Sequence, residues 1–192
     1  MRDQETVEHE LRTQHVGAYT DVHIRQSRDS YLQLLGMLAE RGLLVASRRR
    51  RGAISPFCVR KKSGAQRLVL DCRRVNRHFR QAPVTEIAAA ETFAAARAKP
   101  GCPLHSASAD VEACFYQCGI PLELSDFFCM KSITYQESVQ LGLRVFTDGG
   151  VIHEGLSIIY PALTVLPMGW SWAFWLMQRV HLHLLSISEF PM

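Results

Sequence analysis

Residues 55–71 read Ser-Pro-Phe-Cys-Val-Arg-Lys-Lys-Ser-Gly-Ala-Gln-Arg-Leu-Val-Leu-Asp. Two strand-like runs flank a Lys-Ser-Gly turn, where glycine supplies the positive φ that reversal demands, so the stretch is expected to fold as a β-hairpin with charge at its tip. Just upstream, Tyr31, Leu34, Leu35 and Leu38 share one helical face across residues 27–41, with Ser27 or Ser30 able to cap the start and Gly42 placed to end it. A helix feeding a hairpin points to an α+β class. Leu43, Leu44 and Val45 lead into the arginine run 48–51, read as a solvated loop.

The rest of the chain is read outward from there. Residues 1–27 are polar and charged, a solvated or partly helical arm; 28–192 form a single domain. Residues 76–83 are expected as loop and 86–97 as an alanine-rich helix stopped by Lys99-Pro100-Gly101. Residues 104–111 have strand character and deliver Asp110 at the C-terminal end. Further strands are expected at 127–133, 144–147 and 158–166, with a turn at Asp148-Gly149-Gly150. An apolar helix over 170–185 follows the Pro167-Met168-Gly169 turn.

Composition bounds the function. At 192 residues, 47% hydrophobic and 21% charged, the chain suits one globular domain and not a disordered, collagenous or coiled-coil protein. The net charge of +4 conceals a segregation. Residues 41–80 hold thirteen Lys or Arg against one acid, Asp71, a local charge of +12; the remainder carries −8. Such concentration favours a polyanionic partner, since clustered cations displace phosphate counterions. The six cysteines contain no Cys-x-x-Cys pair, which argues for reduced thiols rather than a disulfide framework or zinc site. The polar start and the lack of an apolar window of about 18 residues predict a soluble, intracellular protein with no membrane partner.

Three segments, in order, resemble the reverse transcriptase family, and together the resemblance covers roughly residues 31–185. The first is the helix and hairpin of 31–76, with Ser-Pro-x-x-Val-x-Lys-Lys and then Arg67-x-x-x-Asp71-x-Arg73-x-x-Asn76, similar to the fingers entry of retroelement polymerases. The second, Ala109-Asp110-Val111-Glu112-Ala113-Cys114-Phe115-Tyr116-Gln117, is similar to polymerase motif A. The third, Val165-Leu166-Pro167-Met168-Gly169-Trp170-Ser171-Trp172-Ala173-Phe174, is similar to motif B. Here Met168 stands where many relatives carry glutamine, Trp172-Ala173 where Ser-Pro is common, and Ala113 where a polar or acidic residue is frequent.

The resemblance implies a fingers portion (about 28–100) on a partial antiparallel palm (about 101–192), and RNA-directed DNA polymerase chemistry. Its partners would be an RNA or DNA template-primer and deoxynucleoside triphosphates, and its cofactor Mg2+ or Mn2+. Asp110 and the Val111 carbonyl would hold metal, Lys62 and Arg67 would face the triphosphate, and Phe115 would exclude a 2′-hydroxyl. Met168 would position the nucleotide by shape, and Gly169 would permit close backbone approach. Each has a plainer alternative: Asp110 as a helix N-cap, the hairpin cations as solvated charge, Phe115 and the tryptophans of 170–175 as core. Asp71 is expected to orient arginines.

A second acidic station, motif C, is expected of a complete polymerase. No aspartate follows Asp148, and the later acids are Glu154 and Glu189. One carboxylate does not hold two metal ions for in-line displacement. The expectation is therefore a fingers and partial-palm fragment ending before motif C, inactive alone, with an unpaired sheet edge and an exposed apolar patch near its last helix. A non-catalytic nucleic-acid-binding remnant is the second reading, and an ordinary α+β domain with a basic loop the third. Sequence leaves oligomeric state open.

Overall fold

The computed structural model describes residues 1–14, 16–87, 90–97, 100–103, 105, 108, 110–143, 145–146 and 158–187. In chain order its helices are α1 (Gln4–Thr13), α2 (Val22–Gln26), α3 (Arg28–Glu40), α4 (Arg73–Asn76), α5 (Ala90–Ala94), α6 (Leu122–Ser125), α7 (Tyr135–Gln140) and α8 (Ala173–Ile187). The strands are β1 (Leu44–Ser47), β2 (Ser55–Arg60), β3 (Gln66–Asp71), β4 (Ile133–Thr134), β5 (Val145–Phe146) and β6 (Ile158–Leu163), and a 3-10 turn spans Cys114–Gln117. The class is α+β, as expected.

Helix α3 forms where the apolar spacing places it. Ser27 Oγ accepts the Ser30 N–H at 3.1 Å, Tyr31, Leu34, Leu35 and Leu38 are buried, and Leu43 N–H closes the end on Leu38 O at 3.0 Å. Its buried face belongs to the main core with Leu44, Ile54, Leu70, Phe128, Ile159, Leu163 and Trp170. The hairpin also forms in the expected place. β2 and β3 pair antiparallel from Ser55↔Asp71 to Arg60↔Gln66, and Gly64 turns the chain at φ 85°.

The larger sheet differs from expectation. Its order is β4-β6-β1-β5, and its inner strand β1 is made by residues that read as a lead-in to the arginine run. β1 pairs antiparallel with β6, Leu44↔Leu163 to Ser47↔Tyr160, and parallel with β5, so the sheet is mixed rather than purely antiparallel. Strands from both sides of residue 100 thus share one sheet. The strand expected at 127–133 shrinks to a bridge at Cys129 and to β4, because a turn of α6 and its following bend occupy the stretch before it. Arg144, Thr147 and the turn at 148–150 lie outside the described residues.

Other boundaries moved too. Of the helix expected at 86–97, α5 covers Ala90–Ala94, with 86–87 and 95–97 outside it and 88–89 outside the described residues; alanine propensity alone holds about one turn where no apolar face is buried. The N-terminal arm is not merely solvated. Asp3 caps α1, Val7 is fully buried, and Arg2 and Arg77 both reach Glu10, the former at 2.6 Å. Helix α7, unforeseen, carries a capping box between Thr134 and Glu137, and Arg28 pairs with that same Glu137 to fasten α3 to α7.

The start of α8 is held by a close approach. A Cβ at Gly169, whose φ is 117°, would fall 2.6 Å from the Leu70 carbonyl oxygen on β3. Asn76 binds the same turn with both ends of its amide: Nδ2 donates to Gly169 O at 3.1 Å and Oδ1 accepts the Ser171 N–H at 2.9 Å. Beyond Ala173, which is buried, α8 leaves Phe174, Val180, Leu182, Leu184, Leu185 and Ile187 exposed, the apolar patch expected there. Gly169→Ala is expected to lose about 2–4 kcal/mol in urea unfolding, from left-handed strain plus overlap with Leu70. Gly17→Ala, whose methyl meets open space, should stay within about 0.5 kcal/mol.

Candidate nucleic-acid interface

The hairpin tip is built for charge. Lys61 N–H donates to Ala65 O at 2.7 Å and Gly64 N–H to Lys61 O at 3.0 Å, so the turn's backbone is satisfied internally and its side chains project outward. Arg60, Lys61, Lys62 and Arg67 are all exposed and line one shallow depression with Val59 and Ser63. Among the described residues none of these four cations has a carboxylate partner. Their mutual repulsion is tolerated only because water screens it, and a phosphate backbone relieves it further.

At the other end of β3 lies a different arrangement. Asp71 is buried and takes a bidentate pair from Arg73, Nε to Oδ1 at 2.9 Å and Nη2 to Oδ2 at 2.7 Å. The backbone N–H groups of Tyr19 and Arg73 complete its shell at 2.8 and 3.1 Å. The Arg73 guanidinium and these donors hold the Asp71 carboxyl well down, at about 2. Arg73 also donates to Gly17 O at 3.0 Å, so the pair anchors the segment before α2. The expectation that Asp71 orients an arginine is met. Beside it Tyr19, Phe57, Val69, Leu70 and Gly169 border an open, mainly apolar hollow, with Tyr19 and Phe57 edge to face at 5.1 Å.

The expected site residues are not gathered into one cleft. Lys62 and Arg67 line the tip depression, and Gly169 borders the hollow. Met168 is half-buried one residue earlier. Phe115, on the 3-10 turn, is partly buried against the core, which is the plainer of its two readings. Asp110 and Val111 are exposed, and residues 105, 108 and 110 are not in strand, so Asp110 does not cap a described β-strand. Nor does it cap a helix, since Ala113, at φ 51°, precedes the 3-10 turn. No group of three or more His, Cys, Asp or Glu among the described residues is placed to hold a metal. A lone exposed carboxylate and a neighbouring carbonyl do not fit a pair of magnesium ions, which need several converging oxygens.

What sequence could not rank is which cations are committed within the fold. Arg73 is taken by Asp71, Arg77 by Glu10, and Arg41 caps its own helix at Met37 O, 2.7 Å away. Arg50 and Arg51 lie over the rings of Tyr160 and Phe127, at 5.6 and 4.4 Å. Trp172 commits its Nε1–H to Arg80 O at 2.7 Å, and Trp170 is core. Asn76, quoted in the fingers pattern, proves to be the clamp on the Gly169 turn. The signal for it was faint, an uncharged amide set between Val75 and Arg77 within a basic run.

No protein-family model matches the chain, and no curated protein matches it. Among the described residues, no helix is long and apolar enough to cross a membrane.

The Asp71 geometry predicts an acid-side stability loss. Its carboxyl is depressed in the folded state, so its contribution is complete above the ordinary carboxylate range near 4 and disappears as pH falls toward about 2. Glu137, held at about 2 by Arg28, adds to the same window. Asp71→Asn should lower stability at pH 7 by about 1–2 kcal/mol, a modest figure because the Arg73 guanidinium faces water. It should also flatten the decline between pH 4 and 2 in a pH series of thermal melts.

Proposed function

We propose that this chain is a reverse-transcriptase-like domain that binds nucleic-acid phosphate at the tip of the β2–β3 hairpin, and that its 192 residues do not transfer nucleotides by themselves. The observation that carries the reading is the set Arg60, Lys61, Lys62 and Arg67, exposed on one tip with no carboxylate partner among the described residues. A lysine offers a compact point charge and an arginine a planar fork, and both suit phosphate oxygens. The order of the three polymerase-like segments supports the lineage. The contact of the motif-B-like turn with β3 supports it as well, because it brings the first and third segments together at Leu70 and Gly169.

Template-dependent addition of deoxynucleotides would need a paired acidic site beside Asp110, and the donor set of the described residues does not provide one. A non-catalytic nucleic-acid-binding remnant therefore shares every binding expectation with the leading reading. Neither reading expects the chain to act alone. With Mg2+, an RNA template and an annealed DNA primer, the purified chain is expected to give no extension; synthesis that disappears in Asp110→Asn would overturn the non-catalytic half of the proposal.

Binding is tested apart from activity. Fluorescence anisotropy with a single-stranded RNA and a DNA duplex should show log affinity falling linearly with log salt. Lys62→Ala combined with Arg67→Ala should weaken binding about tenfold and reduce the slope by about 2. Affinity indifferent to salt, or unchanged in the double variant, would refute the interface.

A further inference from the structure

A cleft lies away from the hairpin tip, between α1 and the loop that follows β1. It holds about 510 Å³, and Arg2, Glu8, Arg50, Arg51, Arg74 and His78 line it. Its charge is unbalanced. Arg2 is neutralised by Glu10, and Glu8 is engaged by Gln4 at 3.0 Å and Arg12 at 3.5 Å. Arg50, Arg51 and Arg74 have no carboxylate partner among the described residues.

The walls are fixed by bonds that leave the charged heads available. Arg51 and Gly52 donate both backbone N–H groups to Asp126 O, at 2.9 and 3.1 Å, which pins the loop to the turn after α6. The Arg51 guanidinium lies 4.4 Å from the centroid of the Phe127 ring, so its face is packed while its N–H edge remains for the oxygens of an anion. His78 meets the same ring at 5.5 Å, edge to face. Its backbone is held at both ends, N–H on Val75 O at 2.9 Å and O accepting Arg2 N–H at 3.0 Å. Burial, and after it the charges of Arg51 and Arg74, press the His78 imidazole below its ordinary range, with Glu8 opposing them. A cleft that disfavours one more positive charge is electrostatically prepared for a negative one.

We infer that this cleft is a phosphate-binding site, formed by Arg51 and Arg74 with His78 at its wall. Two arginine forks suit the oxygens of a phosphodiester, and the open cleft admits a continuous strand. β2 begins two residues after the cleft's last loop residue, Ala53, and the hairpin tip stands about 20 Å further along the strand direction. That span is about six steps of a nucleic-acid strand at roughly 3.4 Å each. Supply of the phosphate by a strand rests on the function proposed above; the affinity of the cleft for phosphate does not.

The test follows the His78 ring resonance by NMR, together with anisotropy, on the full chain. The arms are a twelve-nucleotide single-stranded RNA, a twelve-base-pair DNA duplex and inorganic phosphate. The expected result is that the oligonucleotides raise the His78 pKa by offsetting Arg51 and Arg74. Arg74→Gln and Arg51→Ala should each weaken oligonucleotide binding about 3–10-fold and reduce the salt slope by about 1, with circular dichroism melts unchanged. Arg51→Lys, which keeps charge but loses the fork, should retain most of the slope and less of the affinity, and it guards against misfolding of the alanine variant. If inorganic phosphate shifts His78 while no oligonucleotide binds, the cleft stands as a phosphate site and the proposed function fails. If oligonucleotides bind and respond to Lys62 and Arg67 but not to Arg51, Arg74 or His78, the cleft inference is overturned and the proposed function survives. Silence of His78 in all three arms also overturns it.

Discussion

The backbone at Gly169 passes so close to the Leu70 carbonyl that no side chain fits between them. Much of the described architecture hangs on that approach. It fixes where α8 leaves the core, and it closes one wall of the hollow beside Tyr19 and Phe57. Asn76 reinforces it with two hydrogen bonds from the short helix that follows β3. Among the described residues the two-stranded hairpin has no ladder to the four-stranded sheet, so such contacts, and the Asp71 anchor to Tyr19, hold it against the rest of the molecule. A hairpin alone in water is marginal, and it is the burial of Leu70 and Cys72 in the main core that makes this one rigid.

Charge is divided in the same economical way. One short basic segment serves two purposes, because the fold neutralises some arginines and leaves others to solvent. Arg73 and Arg77 are structural: Arg73 pairs with Asp71 and reaches the Gly17 carbonyl, and Arg77 pairs with Glu10. Arg50 and Arg51 are supported by aromatic rings, which restrain a guanidinium without cancelling its charge. The hairpin cations are supported by nothing but their turn. A surface of this kind binds phosphate by position rather than by base identity, so discrimination among sequences would have to come from elsewhere.

Local physics made α3 and the hairpin legible: a helical stripe of Tyr31, Leu34, Leu35 and Leu38 with a capping serine, and a glycine turn between β-prone runs, carry their own instructions. β6 was readable in part, from Ile158, Ile159 and Tyr160 at its start, although Pro161 lies within it. β1 was not. Leu44–Ser47 is only four residues long and abuts an arginine run, and what makes it a strand is β6, which lies more than a hundred positions away. Helix α5 failed in the opposite direction, since alanine content promised more than an unburied segment can hold. The candidate site divides similarly. The hairpin's cations could be named from their turn, and the need for glycine at position 169 from its motif, but the cleft of Arg51, Arg74 and His78 joins stretches far apart in the chain and has no linear signature. Asp110 shows the limit of motif reading: the residue matches, while the strand and the second carboxylate that would give it chemistry are not among its described surroundings.

The pairing of β1 with β6 sets an order of events as the chain leaves the ribosome. Synthesis runs from the N-terminus, so Leu44–Ser47 emerges long before Ile158–Leu163 exists to pair with it. At roughly 5–20 residues per second the wait is on the order of ten seconds, far longer than helix or hairpin formation. During it α3 and the β2–β3 hairpin have time to form, while an apolar strand stays open on both edges. The nascent chain is therefore at its most vulnerable to intermolecular strand pairing late in translation, and the segment that needs shielding by a chaperone is the one that later lies inside the sheet.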